Sequence, residues 1–294
     1  MSKTLIDELN SLRSRLNREL YRVYDRASSF FTASLLGFIL SIILGISLVV
    51  SITSIIRIYV ETHRFIPEYP PPPLVEQVAA VTAIFAALIM LVELYILYNL
   101  SRFMDASIKG FQILHTIDEK LRNAGSSKLF VLGIEYIYPP SVLVSYPKNI
   151  LVIAVLSTPL APLVAYNLML GLLLGNRMNL LIIGIILASF MVILNIYVIY
   201  MVYRFFKALG KYYNAEKAES LATLFIIINI LNFIGLIPKI SDTAKLVGFI
   251  LTIPYLIYLY KLVDDLRESC DKIITKLNNI VEELKEEAIE EQSI

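Results

Sequence analysis

Long apolar runs, each closed by a short polar stretch, set the pattern of this chain from Phe30 onward. A membrane-spanning helix needs about 20 mostly apolar residues, because the hydrocarbon core is about 30 Å thick and a helix rises about 1.5 Å per residue. Six segments meet that length: Phe30–Ile56, Val78–Leu100, Ile150–Gly175, Leu180–Tyr203, Leu221–Ile237 and Ala244–Tyr260. The fifth is the shortest, and Pro238 stops it. The pattern predicts an all-α fold, a polytopic membrane helical bundle of about six transmembrane helices with amphipathic and coiled-coil helices outside the membrane. The first run is too long for the core of a signal peptide and is expected to stay as an anchor.

The polar segments have a periodicity of their own. From Val263 the apolar positions are Val263, Leu266, Cys270, Ile273, Leu277, Ile280 and Leu284, in steps of three and four. That is a coiled-coil seam, whose partner is another copy, another protein or a helix of this chain. Leu5, Leu9, Leu12, Leu16, Leu20 and Val23 form a similar stripe near the N-terminus. The expected organisation is therefore a basic amphipathic helix over 1–29, a six-span domain over 30–261 with polar loops 101–149 and 204–220, and an acidic coiled-coil tail over 262–294. The tail and the basic N-terminal helix carry opposite charge, which makes them candidate partners for each other. Leu129–Tyr138 is apolar but short and is expected to be interfacial or re-entrant; a seventh span is the alternative. Pro70–Pro73 is expected to form an extended polyproline spacer between the first two spans.

Charge supplies direction. With the N-terminus inside, 21 of the 26 Lys and Arg residues fall on inner segments, leaving Arg57, Arg64, Arg177, Lys239 and Lys245 outside. The positive-inside bias thus predicts a multi-pass cell-membrane protein with both termini cytoplasmic. Composition agrees: 57% of residues are hydrophobic and 17% charged, against about 45–50% and about 25% in soluble domains. Trp is absent, so the 18 tyrosines are left to fill the aromatic belt at the membrane surface. The 42 isoleucines point to a heat-adapted archaeal source.

Few residues carry recognisable chemistry. No phosphate loop, zinc motif or nucleophile elbow is present, so no enzyme activity, metal or cofactor is expected. Glu93 lies within the second span, about seven residues from its end, and an acid at that depth is a functional candidate or an interhelical bonding group. Asn167, Asn195, Asn229 and Asn232 are candidates for lining a transport path, or for bonding one span to another. Pro159 and Pro162 are expected to interrupt the third span. Small residues at Gly37, Ser41 and Gly45, and at Ala79, Ala83 and Ala87, predict close helix approach.

Two span ends resemble each other. Leu94–Tyr98 leads to Arg102 and Phe103, and Ile196–Tyr200 leads to Arg204 and Phe205. Tyrosines three apart share a helix face, and at a membrane exit they would sit among headgroups, with the arginines reaching anionic lipid. Arg102, Arg204, Lys207 and Lys211 thus mark a candidate cytoplasmic mouth. Arg204, Lys207 and Lys211 with Tyr212 and Tyr213 also make the kind of mixture that binds single-stranded nucleic acid, with the lipid surface as the other reading.

In its number of spans, its isoleucine- and tyrosine-rich, Trp-free composition and its helical ends, the whole chain resembles the polytopic subunit of the Ced DNA-import system of thermoacidophilic archaea. That resemblance implies a DNA pore working with small two-span subunits and a separate cytoplasmic ATPase. The expected function is a membrane pore or scaffold subunit of a macromolecular transport assembly, with lipid, other membrane subunits or further copies of itself as partners. A small-solute or ion transporter using Glu93 and the asparagines is the alternative. A third is an interaction protein that recruits a partner through its coiled coil.

Overall fold

The computed structural model describes residues 3–63, 72–123, 139–174, 177–234 and 241–293. All regular structure among them is helical: α1 Lys3–His63, α2 Pro72–Asn123, α3 Pro140–Leu143, α4 Tyr146–Leu174, α5 Met178–Tyr213, α6 Glu216–Ile234 and α7 Ser241–Ser293. Six of these segments are long and apolar enough to cross a membrane, the third of them joining α3 to α4. That number, length and composition are consistent with a multi-pass membrane protein. Leu129–Tyr138, the possible re-entrant piece, lies outside the described residues.

Helices run past the ends of the apolar segments because nothing stops them. Between Lys3 and Leu36 there is neither Gly nor Pro, so the basic N-terminal segment and the first span form one helix of 61 residues. Two expectations change at prolines. Pro72 and Pro73 open α2 and are helical, not extended; a helix start tolerates proline because its first N–H groups have no partner within the helix. α4 passes through Pro159 and Pro162 without a break.

The chain divides into two compact units. The first comprises Met1–Phe31, Asn99–Pro147 and Ile199–Ile294. Its helix directions follow from pairs of touching residues. Phe31 meets Tyr260, Tyr24 meets Arg267, and Leu20 meets Cys270, so α1 and α7 run antiparallel. Phe30 stacks on Phe103 and Glu8 pairs with Lys120, so α1 and α2 also run antiparallel. Phe103 packs on Phe205 and Phe111 on Tyr212, so α2 and α5 run parallel. Phe225 meets Tyr255, and Asn232 lies against Gly248, which makes α6 and α7 a hairpin. Within this unit the start of α1 and the ends of α2, α5 and α7 therefore gather at one end.

Its core holds Leu9, Leu16, Leu20, Phe103, Phe111, Phe205, Phe206, Tyr212 and Tyr213, each at most 1% exposed. Fully burying a large apolar side chain contributes about 1.5–3 kcal/mol, so each of these residues adds substantially to the stability of the unit. α5 ends at a cap: Asn214 adopts φ 52° and the Ala215 N–H donates to the Gly210 carbonyl at 3.0 Å. That six-to-one bond satisfies a carbonyl the helix end leaves free.

The second unit, Thr32–Tyr98 with Lys148–Val198, holds most of the first four spans. α1 and α2 approach closely where Gly37 faces Ile96 and Val92. α4 and α5 meet at Gly171, where a Cβ would stand 2.6 Å from the Leu181 backbone nitrogen. A small cluster of Val75, Ala79 and Leu170 is buried with Met169, Leu174 and Leu180 against it, and Arg177 pairs with Glu76 at 3.5 Å. Elsewhere the large apolar side chains face outward: Val49 is 66% exposed, Ile84 60% and Ile186 62%. No residue of the most apolar 18-residue stretch of α2 is buried. Soluble proteins do not expose contiguous apolar surface on that scale.

Candidate functional site

The last turns of α5 concentrate tyrosines and cations on one face. Tyr200, Tyr203, Arg204 and Lys207 stand at i, i+3, i+4 and i+7, which are neighbours on a helix surface. The Arg204 guanidinium lies 5.3 Å from the Tyr200 ring centre and donates to its hydroxyl at 2.7 Å. The Lys207 ammonium lies 6.0 Å from the Tyr203 ring centre. Lys211, a turn further on, lies 3.8 Å from Glu219. Helical side chains lean toward the N-terminus, so both cations lean back toward the apolar part of α5. Arg102 is exposed on α2. It stands level with Arg204, because each precedes one phenylalanine of the Phe103–Phe205 pair, whose ring centres are 5.3 Å apart. The structure thus sets the arginines of the two similar span ends at one height, on parallel helices. Height is what they share; Phe103 and Phe205, not the arginines, make the contact.

The span-level candidates behave in two ways. Asn167 and Asn229 are half-buried, and each donates to the carbonyl four residues before it, Leu163 and Phe225, at 2.7 Å. Those amides are satisfied in part by their own helices. Glu93, Asn195 and Asn232 are exposed, and none has a hydrogen-bond or ion-pair partner among the described residues. No hydrogen bond joins any two of the five among the described residues.

The tail seam is buried inside the first unit. Val263, Leu266, Cys270, Ile273, Leu277 and Leu284 are at most 7% exposed. Ile280 is half-buried, and Val281, at 1%, holds the buried place instead. The buried spacing from Leu277 is thus four and then three, which keeps in phase with a helix of 3.6 residues per turn better than a strict heptad does. Cys270 Sγ lies 4.0 Å from the Leu20 carbonyl, and burial pushes the thiol up to about 12.

Sequence alone did not single out a polar cluster in the same core. The Glu19 side chain is 9% exposed; one oxygen accepts from Arg22 at 2.7 Å, and the other has no partner among the described residues. The Tyr213 hydroxyl donates to the Ser107 carbonyl at 3.3 Å. Glu19 sits between Arg18 and Arg22 in sequence, so the sign of a paired acid was there to be seen. Its burial depends on α2 and was not. Two grooves flank the cluster. One, of about 350 Å³, lies between α1 and α2 and is lined by Arg15, Glu19, Lys109 and Gln112 among others. The other, of about 370 Å³, lies between α1 and α7 beside Tyr24, Arg267 and Cys270. No group of three or more metal-ligating side chains occurs among the described residues.

No family model, curated protein or solved structure matches this chain.

Proposed function

We propose that this chain is a pore or scaffold subunit of a multi-chain membrane assembly that moves a macromolecule, with DNA as the cargo its resemblance implies. The observation that supports this most is the state of the span-level polar groups. Glu93 and Asn195 are exposed and have no hydrogen-bond or ion-pair partner among the described residues, within spans whose apolar surface is mostly uncovered. An ionisable group facing lipid near mid-span costs several kcal/mol, and such groups normally face other protein or water. Neighbouring subunits around a wet path would provide both. The inner-side basic segments and the buried tail then form the part that meets cytoplasmic components, an ATPase among them.

The assembly itself is the first test. Protein extracted in mild detergent is expected to run as an oligomer or with co-purifying membrane subunits, and a strictly monomeric, partner-free particle counts against the proposal. Deleting the gene is expected to reduce DNA uptake between cells; unchanged uptake removes DNA as the cargo. A small-solute or ion transporter is the second reading, favoured by the Glu93 carboxylate, which has no ion-pair partner among the described residues. Under it, Glu93→Gln abolishes flux in proteoliposomes of the chain alone. Flux that is absent from the parent or unaltered by the substitution eliminates that reading.

A further inference from the structure

We infer that the second unit holds a polar chamber inside its bundle, open to water, in which Glu93 and Asn195 bind a small monovalent cation. At about 3.6 residues per turn, positions 18 apart share a helix face and positions nine apart oppose each other. Glu93 is 18 from Val75 and from Phe111, both buried, and nine from Ile84, which is exposed. Asn195 is 18 from buried Tyr213 and nine from exposed Ile186. Ser41 is 18 from buried Val23 and nine from exposed Val50. All three polar residues thus lie on the faces that their helices bury elsewhere, turned away from the exposed apolar stripes. Yet all three are exposed. Gly45, one turn beyond Ser41, has nothing within 4 Å of where a Cβ would stand. The inward faces here meet open space, not packed side chains. They also share a depth. Glu76 pairs with Arg177, and Glu93 and Asn195 lie 17 and 18 residues further along parallel helices, so the two stand level. Gly171 faces Leu181 and Gly184 faces Leu168, which places Ser157, buried on α4, level with Asn195. Gly37 faces Val92 and Ile96, which puts Ser41 within about a turn of Glu93.

An acid within a membrane span is costly unless it meets a wet cavity or a counter-charge. Of the described Lys and Arg residues in this unit, Arg57 and Arg177 pair with Glu61 and Glu76, and Lys148 sits in the first turn of α4. None of them pairs with Glu93, so the counter-charge is left to a ligand. An amide carbonyl and hydroxyls at the depth of one carboxylate make an all-oxygen set, which suits a hard cation. One carboxylate balances one positive charge. Such a site deepens the transporter reading above and rests on the same Glu93 carboxylate, but it requires binding without flux and no neighbouring subunit.

Two measurements on the full chain in detergent test the chamber and its ligand. Ser41→Cys is expected to react with a charged methanethiosulfonate at least about tenfold faster than Ile84→Cys, because a thiol in water ionises more readily than one in hydrocarbon. Equal rates would mean that the inward face is no wetter than the apolar stripe, and the chamber falls. Radiolabelled sodium and rubidium ions, offered separately, are expected to show saturable binding of at least one of the two. Glu93→Gln should weaken that binding roughly a hundredfold or more, and Asn195→Ala about tenfold. Glu93→Asp keeps the charge and should retain most of the binding, which separates lost charge from misfolding. Glu61→Gln, at the exposed end of α1, should leave it unchanged. No saturable binding of either ion by the parent would show that Glu93 carries a proton instead, and overturns the cation site. Binding that Glu93→Gln leaves intact overturns it as well. Binding lost in Glu93→Gln, with no flux from the parent in proteoliposomes, upholds the site and removes the transporter reading alone.

Discussion

Gly110 offers the sharpest test of how the first unit packs. A Cβ there would overlap the Tyr213 hydroxyl, while the next ring atom, Cζ, would stay 3.5 Å away. Tyr213 is 1% exposed and its ring is held against Phe111, so the hydroxyl has no free volume to retreat into. Gly→Ala in a helix interior by itself gains about 1 kcal/mol. Overpacking a filled core costs about 1–3 kcal/mol, and losing the Tyr213–Ser107 bond costs about 1 more. Gly110→Ala should therefore destabilise the unit by about 1–3 kcal/mol. Tyr213→Phe removes only the colliding atom and leaves a contact of ordinary length. In that background Gly110→Ala should be neutral or stabilising by about 1 kcal/mol, so the double-mutant cycle changes sign. The sole cysteine supplies the assay. Cys270 is 5% exposed with its thiol pushed up to about 12 by burial, so a thiol-reactive dye should label it only as the unit opens. The midpoint of labelling on heating in detergent then orders the four proteins. If Gly110→Ala raises the midpoint in both backgrounds, Tyr213 does not fill the space beside it and the packing described for α2 and α5 is wrong.

Four further outcomes follow from the same geometry. Phe111→Ala removes a ring 4.1 Å from Tyr212 and 5.2 Å from Tyr213, and should lower stability by about 3–5 kcal/mol in the same labelling assay. Asn214→Ala places an ordinary side chain at φ 52° and should lose about 1 kcal/mol, whereas Asn214→Gly should equal or exceed the parent. Gly171→Ala drives a methyl to within 2.6 Å of the Leu181 backbone nitrogen and should cost about 1–3 kcal/mol, seen as earlier heat-induced aggregation on size exclusion. Gly45→Ala meets nothing within 4 Å and should leave that aggregation temperature unchanged or higher.

The contrast between Gly171 and Gly45 shows how far local pattern reaches. Gly45 belongs to a small-residue repeat that signals helix contact, and Gly171 is a lone glycine near the end of α4. Only a three-dimensional neighbour, Leu181, makes one of them sensitive. The seam of α7 repeats the lesson. Its steps of three and four were plain, and the burial of Val263 to Leu277 follows them. The change from Ile280 to Val281 arises from helix pitch accumulating over several turns against a fixed partner. Prolines made the opposite point: Pro72, Pro73, Pro159 and Pro162 all lie in helix, because first-turn positions need no donor and a long apolar helix tolerates a missing bond.

The sequence by itself determined the number and extent of the apolar segments, because hydrocarbon thickness converts directly into residue count, but not the longer helices that contain them. It also located the bias of Lys and Arg and the two tyrosine–arginine span ends. Tertiary structure decided what those pieces meet. It set Arg102 level with Arg204 through the Phe103–Phe205 contact, ran α7 antiparallel to α1, and buried Glu19 and Tyr213 in one core. Those outcomes depend on residues a hundred or more positions apart, and no periodicity within one helix carries that information. The same division explains the span-level polar groups. Their depth could be counted along the chain, but the exposure of Glu93 and Asn195 depends on which faces the other helices leave uncovered.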